Sequence, residues 1–112
     1  MKINIKPLSV NKAWQGKRFK TKEYKSFETE LLLKLPYKKY NYDKYHIYLE
    51  FGFSSKLSDI DNPVKLVLDI IQKKYGLNDR DVYYLEVKKT IVKKQNEYIK
   101  FKIKHYESYK ST

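Results

Sequence analysis

The sequence predicts an α+β fold in which a mixed β-sheet packs against two main helices. Two segments repeat their apolar residues with the period of a helix, and the other structured segments alternate with the period of a strand. The resulting order is β-α-β-α-β-β. A length of 112 residues suits a single domain over residues 1–112, and a hydrophobic content of 41% is enough for a modest core.

The first half of the chain contains a strand, a basic loop and a helix. Met1–Lys6 alternates apolar and polar residues, which predicts a half-buried strand. Ser9–Lys20 is polar and basic and is predicted to be a loop. Thr21 is a suitable N-cap for a helix over Lys22–Lys34. The apolar residues that share one face of this helix are Tyr24, Phe27, Leu31 and Leu35.

The second half begins with the clearest strand pattern, a period-two alternation over Tyr45–Phe53. Asn62-Pro63 predicts the start of a second helix, with Asn as N-cap and Pro at the first helical position. Gly76 predicts its end. Tyr83–Lys93 and Glu97–His105 flank a polar turn and are predicted to pair as a hairpin.

Composition bounds the partners of the protein. Lysine and arginine total 25 against 13 acidic residues, a formal charge of +12, and the chain contains 12 tyrosines. Such a chain favours a polyanion, and nucleic acid above all, although an AT-rich genome would inflate the same residue types. The chain has no cysteine, which excludes disulfides and thiolate metal sites.

Other sequence features point to a soluble cytoplasmic protein that binds no membrane and no small-molecule cofactor. No apolar run approaches the roughly 20 residues of a membrane span. Met1–Lys6 lacks the apolar stretch of a signal peptide. Gly16 stands alone, so no glycine-rich phosphate loop is present.

The residues with catalytic potential are concentrated around Asp61. If Asp59–Asp61 is extended, both carboxylates point to the same side, and a cation between them would keep both ionised. Mg²⁺ is the natural candidate. Lys65 and Asp69 follow Asp61 at intervals of four residues, which places the three side chains on one side of the predicted helix.

Simpler explanations exist for each of these residues. Acidic residues before a helix complement its dipole, and Asp61 with Lys65 could form an ordinary ion pair one turn apart. The acidic segment 78–81 could be a plain polar turn.

The predicted second helix carries apolar residues on two sides, which indicates burial on both. A second copy of the chain or a second layer of the same subunit would provide that burial equally well.

The sequence Asp-x-Asp-Asn-x-x-Lys, followed by an apolar helix, a glycine, an acidic turn and a strand ending in lysine, resembles the RusA family of Holliday-junction resolvases. The matching segment, Ser58–Lys89, is about a quarter to a third of the chain. Pro7, Ser9, Asn11 and the basic loop through Arg18 fit the family more weakly. Members of the family are small homodimeric endonucleases, often carried by phages and prophages.

The resemblance implies three carboxylates that hold a divalent metal and one essential lysine. Asp59 and Asp61 match the first two acids, and Lys65 matches the lysine. The family usually shows two adjacent acids after the glycine, three residues before an apolar strand position. That register falls on Asn78-Asp79 before Val82, so Asp79 is the choice for the third acid, and Asp81, which departs from the pattern, is a possible substitute. The metal would be Mg²⁺, with Mn²⁺ as an alternative.

The resemblance also implies a mechanism and a substrate. Mg²⁺ would activate water, Lys65 would stabilise the developing charge, and Asp69 would orient Lys65 or metal-bound water. A twofold dimer would nick two symmetry-related strands of a four-way junction. The residues expected to hold the DNA are Lys17, Arg18, Lys20, Lys56, Lys65, Lys100, Lys102 and Lys104.

Three other functions remain open on the sequence alone. One is a protein-interaction module whose charge is incidental, as a lysine-rich genome would give. A less selective nuclease would keep the acids and lose the junction preference. A non-catalytic basic nucleic-acid-binding protein would keep the lysines and tolerate loss of Asp59 or Asp61. The expected location is the cytoplasm of a bacterial host, with a phage or prophage gene as the source.

Overall fold

A four-stranded mixed sheet and two helices form the fold in the computed structural model, which describes residues 1–9, 14–15 and 19–107. The predicted α+β class is therefore confirmed. A separate pair of short antiparallel strands lies within the segment predicted to be a loop. The elements are β1 Lys2–Ile3, β2 Trp14–Gln15, β3 Phe19–Lys20, α1 Lys22–Lys34, β4 Tyr45–Phe53, α2 Val64–Tyr75, β5 Val82–Ile91 and β6 Tyr98–His105.

The strand order in the main sheet is β1-β6-β4-β5. Strand β5 pairs in parallel with β4, and β6 pairs antiparallel with the other edge of β4. The predicted hairpin of the last two strands is therefore wrong. The connection over residues 92–97 crosses the end of β4, where the Val92 amide donates to the Phe53 carbonyl at 2.7 Å. Strand β4 therefore lies between β5 and β6, and it is buried along most of its length.

Helix α1 has the predicted bounds. The Thr21 hydroxyl accepts a hydrogen bond from the Tyr24 amide at 3.2 Å, which caps the first turn. The predicted apolar face is buried, with Leu31 fully inaccessible and Leu35 only 3% exposed.

Helix α2 begins one residue later than the sequence predicts. Pro63 is the N-cap, while the Asn62 amide donates to the Asp59 carbonyl in the preceding turn. The prediction that Asn62 caps the helix is therefore wrong. At the other end Gly76 adopts φ 68°, a left-handed conformation that favours glycine, and ends the helix as predicted.

The apolar residues of α2 are buried against other elements of the same chain. Leu66, Val67, Ile70 and Ile71 are at most 1% exposed and belong to one core cluster with α1 and the sheet. Val64 and Leu68 pack against the same cluster while partly buried. Packing within one subunit therefore accounts for the apolar residues on both sides of α2. The homodimer remains a prediction that α2 does not support.

The two faces of the sheet differ because side chains alternate along each strand. Ile47, Leu49 and Phe51 point toward the helices and are fully buried. The residues between them point away from the helices. We call this second surface the lysine face, and its residues are Lys2, His46, Tyr48, Glu50, Gly52, Tyr84, Glu86, Lys88, Thr90, Tyr98, Lys100, Lys102 and Lys104.

None of the helices in the described part of the chain is both long enough and apolar enough to span a bilayer.

Candidate functional site

Four side chains meet along the exposed side of α2, and we call them the Lys65 cluster: Lys65, Asp69, Gln72 and Asp79. The Lys65 Nζ atom lies 3.2 Å from Asp69 Oδ1 and 3.5 Å from Asp79 Oδ2. The Gln72 amide donates to the other oxygen of Asp79. The Lys65 and Asp79 side chains are 67% and 61% exposed, so the cluster is open to a large ligand.

Asp79 reaches this cluster because the chain turns back sharply after α2. The Leu77 amide donates to the Gln72 carbonyl at 3.0 Å, which closes the left-handed turn at Gly76. The Asn78 side chain then accepts from the Arg80 amide at 3.1 Å and caps a short 3₁₀ turn over residues 79–81. These two local caps carry Asp79 back beside the last turns of α2.

Asp81 occupies a different position from Asp79. One Asp81 oxygen lies 3.8 Å from the Arg80 Nε atom, and no ion pair between Asp81 and Lys65 occurs among the described residues. Of the two candidates that the sequence leaves open, Asp79 is the one next to Lys65.

Electrostatics hold the two ends of the cluster in their charged states. The hydrogen bond and charge of Asp69, with a smaller contribution from Asp79, raise the pKa of Lys65 above its ordinary value. The Gln72 hydrogen bond, followed by the charge of Lys65, lowers the pKa of Asp79. Lys65 therefore remains a cation, and Asp79 an anion, across the neutral range.

Asp59 and Asp61 lie in the loop that leads into α2. The segment from Ile60 to Pro63 is a turn, in which the Asp61 carbonyl accepts from the Val64 amide at 3.1 Å. The extended geometry considered for Asp59–Asp61 is therefore wrong. Both side chains are exposed, and neither forms an ion pair with a described residue.

Asp59 also borders a cleft of about 470 Å³ at the end of β4. Two further carboxylates, Glu23 and Glu97, line the same cleft, together with Lys6. Hydrogen bonds from its own backbone amide and from the Ser54 hydroxyl lower the pKa of Glu97. Sequence reasoning missed Glu23 and Glu97 because they are 36 or more residues from Asp59 and only the tertiary fold brings them near.

Lys89 positions the loop in front of Asp59. Its Nζ atom donates to the Lys56 carbonyl at 2.8 Å and to the Ser58 carbonyl. In the sequence, Lys89 is only the last residue of the segment that resembles the RusA family. Its role in holding this loop follows from the parallel pairing of β4 and β5, which brings Lys89 next to the loop.

No three Asp, Glu or His side chains converge on a potential metal position within residues 1–9, 14–15 and 19–107. The structure places Asp79 in the Lys65 cluster and Asp59 at the cleft. The assignment of Asp59, Asp61 and Asp79 as joint metal ligands therefore remains a prediction.

The predicted DNA-binding residues fall into separate groups. Lys17 and Arg18 lie outside the described residues. Lys20 pairs with Glu28 at 3.1 Å, and Lys56 is exposed in the loop before Asp59. Lys100, Lys102 and Lys104 lie on the lysine face, on the opposite side of the sheet from α2 and its Lys65.

The centre of the lysine face is organised by one buried acid. Glu50, only 8% exposed, accepts hydrogen bonds from the Tyr48 hydroxyl at 2.6 Å and from the Tyr98 hydroxyl. These bonds lower the pKa of Glu50 and raise that of Tyr48 to about 12. The Tyr98 ring lies directly over Gly52, where any larger residue would overlap it.

No protein-family model matches this chain, and no curated protein matches it either. Functional inference therefore rests on the residues and their arrangement. The candidate regions are the Lys65 cluster, the loop that carries Asp59 and Asp61, and the lysine face.

Proposed function

We propose that this protein is a metal-dependent endonuclease that nicks branched DNA, with the four-way junction as its substrate and a homodimer as its active form. The observation that carries the proposal is the position of Asp79, which the turn after Gly76 places 3.5 Å from Lys65. Asp79 and Lys65 correspond to the third acid and the essential lysine of the RusA pattern. Such an enzyme would act in the cytoplasm of a bacterial host, as a phage or prophage product.

The donor set suits Mg²⁺. Mg²⁺ prefers carboxylate oxygens, keeps several waters, and is commonly held by one or two carboxylates together with substrate phosphates. Asp59 and Asp61 are exposed and two positions apart in the sequence, so they would hold the ion, with Asp79 as the third ligand. When bound, the ion would polarise the scissile phosphate and lower the pKa of a bound water.

The protein side chains would supply the remaining electrostatic stabilisation. Lys65 stays protonated because Asp69 and Asp79 raise its pKa, so it offers a permanent positive charge to the phosphate as negative charge develops. Asp69 holds the Lys65 Nζ atom at 3.2 Å and orients it. Gln72 keeps Asp79 in the same cluster through its side-chain amide.

A non-catalytic nucleic-acid-binding protein is the second candidate. It is favoured by the separation of Lys100, Lys102 and Lys104 from the Lys65 cluster by the full thickness of the sheet and its helix layer. In that case the acids around Asp61 would contribute nothing to function.

The decisive experiment compares nicking of a labelled four-way junction with nicking of a linear duplex of the same sequence, in Mg²⁺ and in EDTA. The variants are Asp61→Asn and Lys65→Gln. The matched control is Glu30→Gln, which also removes one exposed carboxylate but lies on α1 and pairs only with Lys34 in the described structure.

We expect symmetric nicks in the junction only, dependent on Mg²⁺ or Mn²⁺, reduced at least about 100-fold by Asp61→Asn and by Lys65→Gln, and unchanged by Glu30→Gln. Equal cutting of junction and duplex would replace the resolvase with a less selective nuclease. Tight binding of the junction without cutting in either metal would establish the non-catalytic alternative.

A further inference from the structure

The lysine face presents a regular ladder of positive charge. Lys100, Lys102 and Lys104 project from alternate positions of β6, which spaces them about 6.6 Å apart along the strand. Lys2 lies directly opposite Lys100 in the antiparallel pair of β1 and β6. Like charges in directly opposed positions destabilise a sheet, so an anionic ligand would relieve this repulsion.

The acids of this face are already engaged by neighbouring side chains. Glu50 is buried and hydrogen-bonded to Tyr48 and Tyr98. Glu86 lies 2.6 Å from the His46 Nε2 atom. Within the described residues, none of the lysines at positions 2, 88, 100, 102 and 104 has a carboxylate within 4.0 Å. Among the described residues, the lysines of this face therefore lack a direct carboxylate partner, although Lys2 lies over the Tyr98 ring at 4.4 Å and the half-exposed Glu86 is engaged by His46.

An aromatic cluster stands at one end of this ladder. The rings of Tyr83 and Tyr106 stack with centroids 5.6 Å apart, and those of Tyr84 and Tyr106 stack at 6.5 Å. The His46 and Tyr84 rings lie 4.3 Å apart. Lys44 lies 5.0 Å above the Tyr83 ring.

A β-bulge explains how two consecutive tyrosines reach the same partner. Adjacent residues of a regular strand point to opposite faces. The register of β4 and β5 shifts between Tyr45 and His46, which leaves Tyr83 as an extra residue on β5. Bulges commonly redirect side chains at functional positions, and here the bulge lets Tyr83 and Tyr84 both contact Tyr106.

The cluster opens onto a shallow pocket of about 660 Å³. This volume lies within the range of roughly 300–1,000 Å³ that is typical of ligand pockets. Tyr84, which is 48% exposed, forms an aromatic wall, and Lys104 lies at the side. The residues that line the pocket are His46, Tyr84, Glu86, Lys104, His105, Tyr106 and Glu107.

We infer that the lysine face is a binding surface for single-stranded DNA, in which Tyr84 and Tyr106 stack on an unpaired base while Lys100, Lys102 and Lys104 contact successive phosphates. Exposed aromatic rings beside a positively charged track are the general means by which proteins hold single strands. The bases of a duplex are stacked on each other and offer no free face to a tyrosine ring.

The choice of DNA over RNA rests on the proposed function, which takes DNA as the substrate. Binding by this face needs neither a metal nor the acids around Asp61. The two proposals can therefore fail independently.

The test measures fluorescence anisotropy of a labelled 20-nucleotide single-stranded DNA in EDTA, with the duplex of the same sequence, the matching single-stranded RNA and heparin as competitors. The charge variant is Lys102→Gln/Lys104→Gln. Its matched control is Lys22→Gln/Lys25→Gln, which removes the same charge from exposed positions on α1. The stacking variant is Tyr84→Leu, with Tyr84→Phe as rescue and Tyr37→Leu, at a position 81% exposed, as control.

We expect the single-stranded DNA to bind more tightly than the duplex. The Lys102→Gln/Lys104→Gln variant should reduce the slope of log K against log salt by about 1.4, because each phosphate contact on a single strand contributes about 0.7. Tyr84→Leu should weaken binding by roughly 5- to 150-fold, and Tyr84→Phe should restore it. The control variants should leave the affinity of the single strand unchanged.

Several results would overturn the inference. These are equal competition by heparin, tighter binding of duplex, tighter binding of RNA, or the same loss in Lys22→Gln/Lys25→Gln as in Lys102→Gln/Lys104→Gln. Asp61→Asn serves to separate the two proposals. If Asp61→Asn loses junction nicking and keeps its affinity for the single strand, the binding surface is supported independently of the nuclease site. If the wild-type protein binds the single strand and nicks no substrate, only the nuclease proposal is refuted.

Discussion

The two sides of the sheet carry charge in opposite arrangements. On the helix side, the exposed Lys65 cation is shared between two carboxylates, the half-buried Asp69 and the exposed Asp79. On the lysine face, Glu50 is buried beneath tyrosine hydroxyls, and the surrounding lysines are left without a carboxylate partner among the described residues. The first arrangement suits a site where charges of both signs face a reacting group. The second suits the backbone of a polyanion.

Two carboxylates show how this difference arises. Hydrogen bonds lower the pKa of both Asp79 and Glu50. Asp79 is 61% exposed, so water and ligands can replace its partners at little cost. Glu50 is 8% exposed, and its partners Tyr48 and Tyr98 are themselves part of the sheet surface. Asp79 is therefore available for chemistry, whereas Glu50 has a structural role.

The largest expected effect comes from removing the packing on which the helix side depends. Leu66 is a fully buried residue of α2 and directly follows Lys65. Leu66→Ala should lower the free energy of unfolding by about 2–5 kcal/mol, because it deletes buried methyl groups and leaves a cavity. Urea denaturation followed by circular dichroism measures the change.

The matched control is Leu33→Ala, the same substitution at a position that is 81% exposed. It should change the free energy of unfolding by less than about 0.5 kcal/mol. Equal effects at both positions would mean that α2 is not packed as described.

A smaller effect is expected on the lysine face from Glu50→Gln. This substitution should lower the free energy of unfolding by about 1.5–3 kcal/mol at pH 7, because it weakens two hydrogen bonds to a buried charge. The pKa of Glu50 is lower in the folded protein than its ordinary value of 4.5. The stabilisation is therefore complete above pH 4.5 and is lost as the pH falls through the lowered pKa.

The difference in unfolding free energy between wild type and Glu50→Gln should accordingly shrink as the pH falls from about 6 to about 3. Tyr98→Phe, which removes one of the two donors, should show part of the same pH dependence. A difference that is constant with pH would assign the loss to packing instead of charge.

The smallest expected effect on stability is that of Lys65→Gln. The Lys65 side chain is 67% exposed, so its ion pairs with Asp69 and Asp79 are screened by water. The free energy of unfolding should change by less than about 0.5 kcal/mol. A large loss of stability would make the Lys65 cluster structural and would remove the main support for a catalytic lysine.

Local signals predicted most of the secondary structure. The bounds of α1, the bounds of β4 and the end of α2 at Gly76 all follow from short-range chemistry: a hydroxyl cap, a period-two alternation and a left-handed glycine. The start of α2 was misplaced because Asn62 serves a turn within the preceding loop. The same turn invalidated the extended geometry considered for Asp59 and Asp61.

The last two strands show what short-range sequence patterns cannot predict, because β5 and β6 each pair with β4 and not with each other. The polar turn around Gln95 exists, and Gln95 adopts φ 75° there. Sequence proximity nevertheless does not decide which strands pair, because β5 and β6 each bond the backbone of β4 at one of its two edges. The chain therefore crosses over the end of β4 between β5 and β6.

The sequence by itself determined the α+β class, the helix that carries Lys65 and Asp69, and the excess of lysine and tyrosine. Only the tertiary structure decided that Asp59 shares a cleft with Glu23 and Glu97, and that the lysines of β6 lie on the opposite side of the sheet from α2. The physical reason is the distance along the sequence over which each interaction acts. Caps and periodicities depend on a few neighbouring residues, whereas charge separation across a sheet depends on which face the whole core requires each strand to bury.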